Sequence, residues 1–139
     1  MAAKTKKQTK SYAYAAGRRR TASARVRLHK GSKESTVNDV VIGKYFPGEV
    51  YRVAWQKPFE LTDTLGNYYI TAKVVGGGKK GQLDAVVHAT AKAFVDADEK
   101  KFRSVLKDAG LLTRDERKRE RRMVGTGGRA RKQKQSPKR

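Results

Sequence analysis

Gly76-Gly77-Gly78-Lys79-Lys80-Gly81 matches the spacing GxGxxG and carries two lysines inside it. Glycines so placed let a backbone approach a phosphate, and a helix starting there adds its N–H groups and dipole. A dinucleotide site also needs an acid ending a second parallel strand. Asp96 and Asp98 follow at roughly suitable distance, but they fall between two predicted helices. The P-loop pattern fails, because Gln82 and Leu83 stand where Lys and Ser or Thr are required. An RNA phosphate held by the turn, Lys79 and Lys80 suits these residues better than a nucleotide. A plain strand-to-helix turn is the simplest alternative.

Two further groups are cationic. Gly17-Arg18-Arg19-Arg20-Thr21 precedes Arg25 and Arg27, and residues 1–33 hold no acid. Arginine grips phosphate with two parallel hydrogen bonds and stacks on bases, so this loop and strand read as one contiguous RNA-facing patch. The segment 114–122 brings Arg114, Arg117, Arg121 and Arg122; the segment 129–139 brings Arg129, Arg131, Lys132, Lys134, Lys138 and Arg139. Catalysis is poorly served. His29 and His88 are the only histidines, neither has a nucleophile at a recognisable spacing, and no cysteine exists to hold a metal. His88 lies beside an apolar helix face, which suits a structural or RNA-facing role. We expect no enzyme, no cofactor and no metal.

The elements that must position these groups can be read from periodicity. The chain has 139 residues and a formal net charge of +21. Residues 1–20 contribute +7, 21–112 contribute +5 and 113–139 contribute +9, so a nearly balanced middle carries two basic ends. That distribution implies a basic extension over 1–11, one folded domain over 12–124 and an extended basic tail over 125–139. The tail has no apolar side chain larger than alanine to offset the entropy of ordering it. No apolar run approaches the ~18 residues of a membrane span, and neither end has the apolar face of a membrane-surface helix. We therefore expect a soluble, intracellular chain whose polyanion is a nucleic acid.

Ser23–His29 alternates apolar and basic residues, predicting a half-buried strand; 11–16 is a neighbouring strand, 34–38 a short one, and 67–75 another. A helix over 49–57 places Val50, Val53 and Ala54 on one face and ends at Pro58. Leu83, Val86, Val87, Thr90, Ala91 and Phe94 mark the strongest helix. A second runs from Asp98 with Phe102, Val105, Leu106 and Ala109 inward, and Gly110 stops it. Thr113 and Glu116 have capping-box spacing for a third, all-polar helix supported by an Asp115–Arg119 pair. The fold class is α+β, one sheet with helices on one face.

The blocks GRRRTASARVRL at 17–28, Tyr45-Phe46, Gly76-Gly77-Gly78, Gly81-Gln82, His88, KDAGLLTRD at 107–115, Glu120-Arg121-Arg122 and the terminal Lys138-Arg139 stand in a familiar order. On these the chain resembles the universal family of small-subunit ribosomal protein nine, from about Tyr12 onward. The resemblance implies a mixed sheet of about four strands packed on helices, like the second domain of ribosomal protein five, with an extended basic tail. It implies a cytoplasmic, ribosomal location and a structural role. The implied partners are small-subunit ribosomal RNA of the head, neighbouring ribosomal proteins and P-site transfer RNA, with no membrane and no small-molecule substrate. It assigns ribosomal RNA to Arg18, Arg19, Arg20, Lys79, Lys80 and the basic residues of 114–134, and transfer RNA to Lys138 and Arg139. Two stretches depart from the family pattern: Ser136-Pro137 replaces an aromatic and serine, and Val87 replaces an arginine before the histidine. A basic protein subunit of an RNA-processing enzyme and a nucleotide-binding enzyme using Gly76–Gly81 are the rival readings.

Overall fold

The computed structural model describes residues 11–124. Strand β1 (Ala13–Arg19) and strand β2 (Ala22–Lys30) form an antiparallel hairpin with Ala13 opposite Leu28 and Arg19 opposite Ala22. β1 therefore starts two residues later than expected and runs three residues further, taking Gly17, Arg18 and Arg19 into the sheet. Those residues are paired strand, and the loop shrinks to Arg20-Thr21. Arg20 sits there at φ 53°. Alternation along β2 appears as expected, with Ala24, Val26 and Leu28 buried and Arg25 and Arg27 exposed.

The short strand β3 (Thr36–Val37) turns directly into β4 (Val40–Val41). Asn38 and Asp39, at φ 48° and 66°, make the doubly left-handed turn that matches the twist of a two-residue hairpin. β4 and the one-turn helix α1 (Ile42–Tyr45) were not anticipated. Helix α2 (Glu49–Leu61) runs through Pro58 instead of stopping at it. The face it buries explains why. Tyr51, Ala54, Trp55, Pro58, Phe59 and Thr62 form one stripe against the core, whereas Val50 and Val53 are 81% and 54% exposed. Anchoring Pro58 and Phe59 in the core outweighs the one backbone hydrogen bond that proline removes. Thr62 then closes the helix by donating to the Pro58 carbonyl at 2.8 Å.

Strand β5 (Tyr68–Val75) pairs antiparallel with β2 and parallel with β3, giving a five-stranded mixed sheet in the order β1-β2-β5-β3-β4. Helix α3 (Lys79–Ala97) lies across β1 and β2, with α2 and α4 (Glu99–Asp108) packed against it. Asp98 caps α4 by accepting from the Lys101 N–H at 3.2 Å. Phe102 and Leu106 face inward as expected, while Val105 is exposed. At the centre, Phe94 meets Phe59, Phe102 and Tyr68 edge-on, with ring centroids 5.3–5.6 Å apart. Only helix α4 follows α3 among the described residues, and no further strand, so the β–α–β unit of a dinucleotide fold does not form.

The free edge of β1 is engaged by side chains of α3. Lys92 donates to the Ala16 carbonyl at 3.1 Å, and Asp96 accepts from the Tyr14 N–H at 3.3 Å. This closeness depends on Gly17. A Cβ there would lie 2.3 Å from the Ala85 carbonyl oxygen and 2.7 Å from the Ala89 nitrogen, so β1 meets α3 backbone against backbone. Gly17→Ala should lower unfolding free energy by about 1–3 kcal/mol, the usual cost of overpacking. Gly43→Ala, where nothing lies within 4 Å of the added carbon, should stay within about 0.5 kcal/mol of the parent. Denaturant titration of both variants checks the pair.

Candidate nucleic-acid interface

Gly110, at φ 71°, ends α4 in a Schellman motif: its N–H bonds to the Lys107 carbonyl at 2.9 Å and that of Leu111 to the Leu106 carbonyl at 3.1 Å. The chain then turns back over the core. Leu111 and Leu112 pack on it, and His88 Nε2 donates to the Leu112 carbonyl at 3.2 Å. Residues 114–123 run without helix, so the expected third helix is absent. An all-polar stretch this short gains nothing from helical packing, and isolated short helices are marginal in water. Its acid is used elsewhere. Asp115 pairs with Arg117 at 2.7 Å and with Arg19 at 3.0 Å, and not with Arg119 as the helix would require.

Arg19 is the centre of this region. Its side chain is only 12% exposed and lies between Asp84 of α3, at 3.7 Å, and Asp115. It also donates to the carbonyl oxygens of Arg117, at 2.8 Å, and Asp115, at 3.4 Å. One guanidinium thus ties β1, α3 and the 113–117 segment together. Arg117 holds the Asp115 carboxyl well below the ordinary carboxylate range, with Arg19 adding to the effect, and Arg117 is raised in turn. Around this clamp opens a cleft lined by six basic residues, Arg19, Arg20, Lys80, Arg117, Lys118 and Arg119, against Asp84 and Asp115. Both carboxylates already face Arg19, so the outer cations carry the surplus.

The three adjacent arginines diverge and do not form one patch. Arg19 turns under the C-terminal segment. Arg20 stands at the hairpin tip and lines the cleft. Arg18 alternates with Arg19 along β1, in register with the outward side that carries Arg25 and Arg27, and it lines a second hollow with His88 and Thr113 at the strand's free edge. The lysines beside the glycines also part company. Lys79 donates to the Tyr45 carbonyl at 3.2 Å with its ammonium 3.5 Å from the centre of the Tyr45 ring, whereas Lys80 lines the cleft. The Tyr45 hydroxyl donates to Gln82 Oε1 at 2.8 Å, and Gln82 Nε2 donates to the Gly76 carbonyl at 3.0 Å, so α1 pins the glycine turn. Gly78 caps α3 without any side-chain hydrogen bond. Arg114, Arg121 and Arg122 are exposed along the segment; Arg129, Arg131, Lys132, Lys134, Lys138 and Arg139 lie outside the described residues.

Sequence reasoning included Lys118 and Arg119 only among the basic residues of 114–134, and the helix expected there concealed their place in the cleft. It also missed Lys73, which faces outward directly opposite Arg25. The alternation of Tyr69, Thr71 and Lys73 along β5 held that signal. Among the described residues no group of His, Cys, Asp or Glu could hold a metal, and no helix is long and apolar enough to cross a membrane.

A small mixed sheet with helices on one face and cations gathered at its hairpin tip defines a protein shaped to meet a polyanion, not one built around a reaction centre. Residues 17–139 match the family Ribosomal protein S9/S16. Over 120 residues the chain is 44% identical to small ribosomal subunit protein uS9 of Maridesulfovibrio salexigens, covering 86% of this chain and 92% of that protein. The chain belongs to the ribosomal protein S9 family, a structural and non-enzymatic constituent of the small subunit of the cytoplasmic ribosome.

His88 gives this region a pH response. Burial lowers its pKa, as do Lys92 and Arg114, against the upward pull of the Leu112 hydrogen bond; its Nδ1 is buried without a hydrogen-bond partner among the described residues. His29 is lowered by burial, then by Arg27 and Lys33. Below the ordinary histidine value of about 6.5, the unfolded chain binds protons that the folded chain refuses, so stability rises with pH through that window. Asp115, with its pKa depressed, contributes fully above the ordinary carboxylate value and loses that contribution progressively as the pH falls below it. The thermal midpoint should therefore fall between pH 7.5 and 5.5, and His88→Gln should flatten the fall. Thermal unfolding followed by circular dichroism at several pH values measures both.

Proposed function

We propose that this protein binds ribosomal RNA in the head of the small subunit through the cleft around Arg19, and reaches P-site transfer RNA with Lys138 and Arg139. One observation carries the first part. The partly buried Arg19 clamp lays the 113–119 segment beside the hairpin tip, concentrating Arg20, Lys80, Lys118 and Arg119 in a single cleft. The first turn of α3, which no side chain caps, contributes Lys80 and Gly81 to the same cleft, and a helix N-terminus favours a phosphate. Arg20 supports the reading in another way. A non-glycine residue at left-handed φ costs on the order of 1–2 kcal/mol, and glycine would avoid that cost. An arginine kept there holds its guanidinium at the rim. Arg19 and Lys79 act in this scheme as positioning residues, since their charges are engaged within the protein.

Binding of this kind releases counterions, so affinity for a head-domain RNA fragment should fall steeply with salt. Each of Arg20→Gln, Lys80→Gln, Lys118→Gln and Arg119→Gln should reduce the slope of log affinity against log salt by about one. Fluorescence anisotropy across a salt series measures it, and unchanged slopes would rule out the cleft. For the tail, removing residues 129–139 should weaken transfer RNA binding at the P site while small subunits still assemble. Filter binding of transfer RNA to subunits carrying the truncated protein provides the check.

A further inference from the structure

The side of the sheet opposite α3 carries a second arrangement that the cleft does not use. Its first rung is aromatic: His29 stacks on Tyr69 with centroids 5.0 Å apart and planes 15° from parallel, and Tyr12 leans on His29 at 5.5 Å. The next two rungs are cationic. Arg27 holds its guanidinium 5.2 Å from the centre of the Tyr12 ring, and Arg25 lies directly opposite Lys73. Thr71 fixes the His29 ring through a 3.2 Å hydrogen bond to Nε2. No outward position of β1, β2 or β5 bears a carboxylate; the nearby Asp39 is occupied by Lys73 at 2.5 Å. Among the described residues all three long helices pack on the other side, so this face is open.

These features conflict with a merely solvated surface. No ion pair engages Arg25 or Arg27 among the described residues, and Tyr12, His29 and Tyr69 are each only half-buried, so part of their ring surface meets water. A polyanion with unpaired bases relieves both. We propose that this face binds single-stranded RNA, with bases stacking on the Tyr12–His29–Tyr69 rung and phosphates crossing Arg25 and Arg27. The inference rests on ribosomal RNA being the partner, and adds which form of RNA is held and where. A duplex would satisfy the cations but hides its base faces from the rings. A protein neighbour would need carboxylates to match Arg25 and Arg27 and would have little use for a stacked aromatic rung. Burial and the neighbouring Arg27 and Lys33 keep His29 neutral near pH 7, so the rung stacks without adding charge.

The test uses the full chain, isotopically labelled, titrated with single-stranded octaadenylate and separately with an RNA duplex of eight base pairs. Octaadenylate should shift the ring resonances of Tyr12, His29 and Tyr69, and the duplex should leave them in place. Tyr69→Ala should weaken octaadenylate binding about tenfold, Tyr69→Phe should retain it, and duplex affinity should change less than twofold. Tyr12→Leu, at a residue preceding the first strand, gives the same comparison if Tyr69→Ala fails to fold. Parent-like octaadenylate affinity in the tyrosine variants would overturn the inference while leaving the cleft intact. So would masking of the rung by an acidic ribosomal protein and not by RNA. Failure of the unmodified chain to bind either RNA at low salt would remove the cleft as well.

Discussion

A charge buried without partners is among the most costly things a fold can contain, and Arg19 shows what satisfying one can organise. At 12% exposure it needs acceptors on every side, and it finds them in two carboxylates and two backbone carbonyls drawn from two other parts of the chain. β1 supplies the guanidinium, α3 supplies Asp84, and the segment after α4 supplies the remainder. The course of residues 113–117 follows from that demand. Where the segment goes, Lys118 and Arg119 go too, and with them the cleft.

The chain therefore uses its cations in two ways. Arg19, Arg117 and Lys79 are spent inside the molecule, on Asp84, Asp115 and Tyr45. Arg18, Arg20, Arg25, Arg27 and Lys80 stay exposed. The first set brings the second into place at the hairpin tip and on the open sheet face. A net charge of +21 would by itself disfavour a compact state. Confining the excess to the ends and to surfaces apt for an anion lets an apolar core centred on Phe94 form regardless.

Elements with a strong period were legible beforehand. The alternation in β2 and β5 and the stripe of α3 are consequences of burying one face, and Gly110 marks the end of α4 because only a left-handed residue closes a Schellman motif there. What escaped depended on partners distant in sequence. Pro58 sits inside α2 because Phe59 packs on Phe94, which local preference does not reveal. The capping-box spacing of Thr113 and Glu116 was a false signal, since Asp115 does better against Arg19 than against Arg119. The basic character of the site was plain from the charge distribution. Its division into a clamp, a cleft and an open face depends on which side of β1 each arginine takes, and that was fixed only by the strand extending past Ala16 to Arg19.

The hold that α3 keeps on the outer side of β1 matters before any RNA is met. A bare strand margin invites a second copy to continue the ladder, and a newly made ribosomal protein is vulnerable to such misassembly until it reaches its particle. By occupying the Tyr14 N–H and the Ala16 carbonyl, Asp96 and Lys92 remove two of the contacts that such a continuation would use. The same side chains that seat a helix on its sheet thus also act as a guard during the waiting period between synthesis and incorporation.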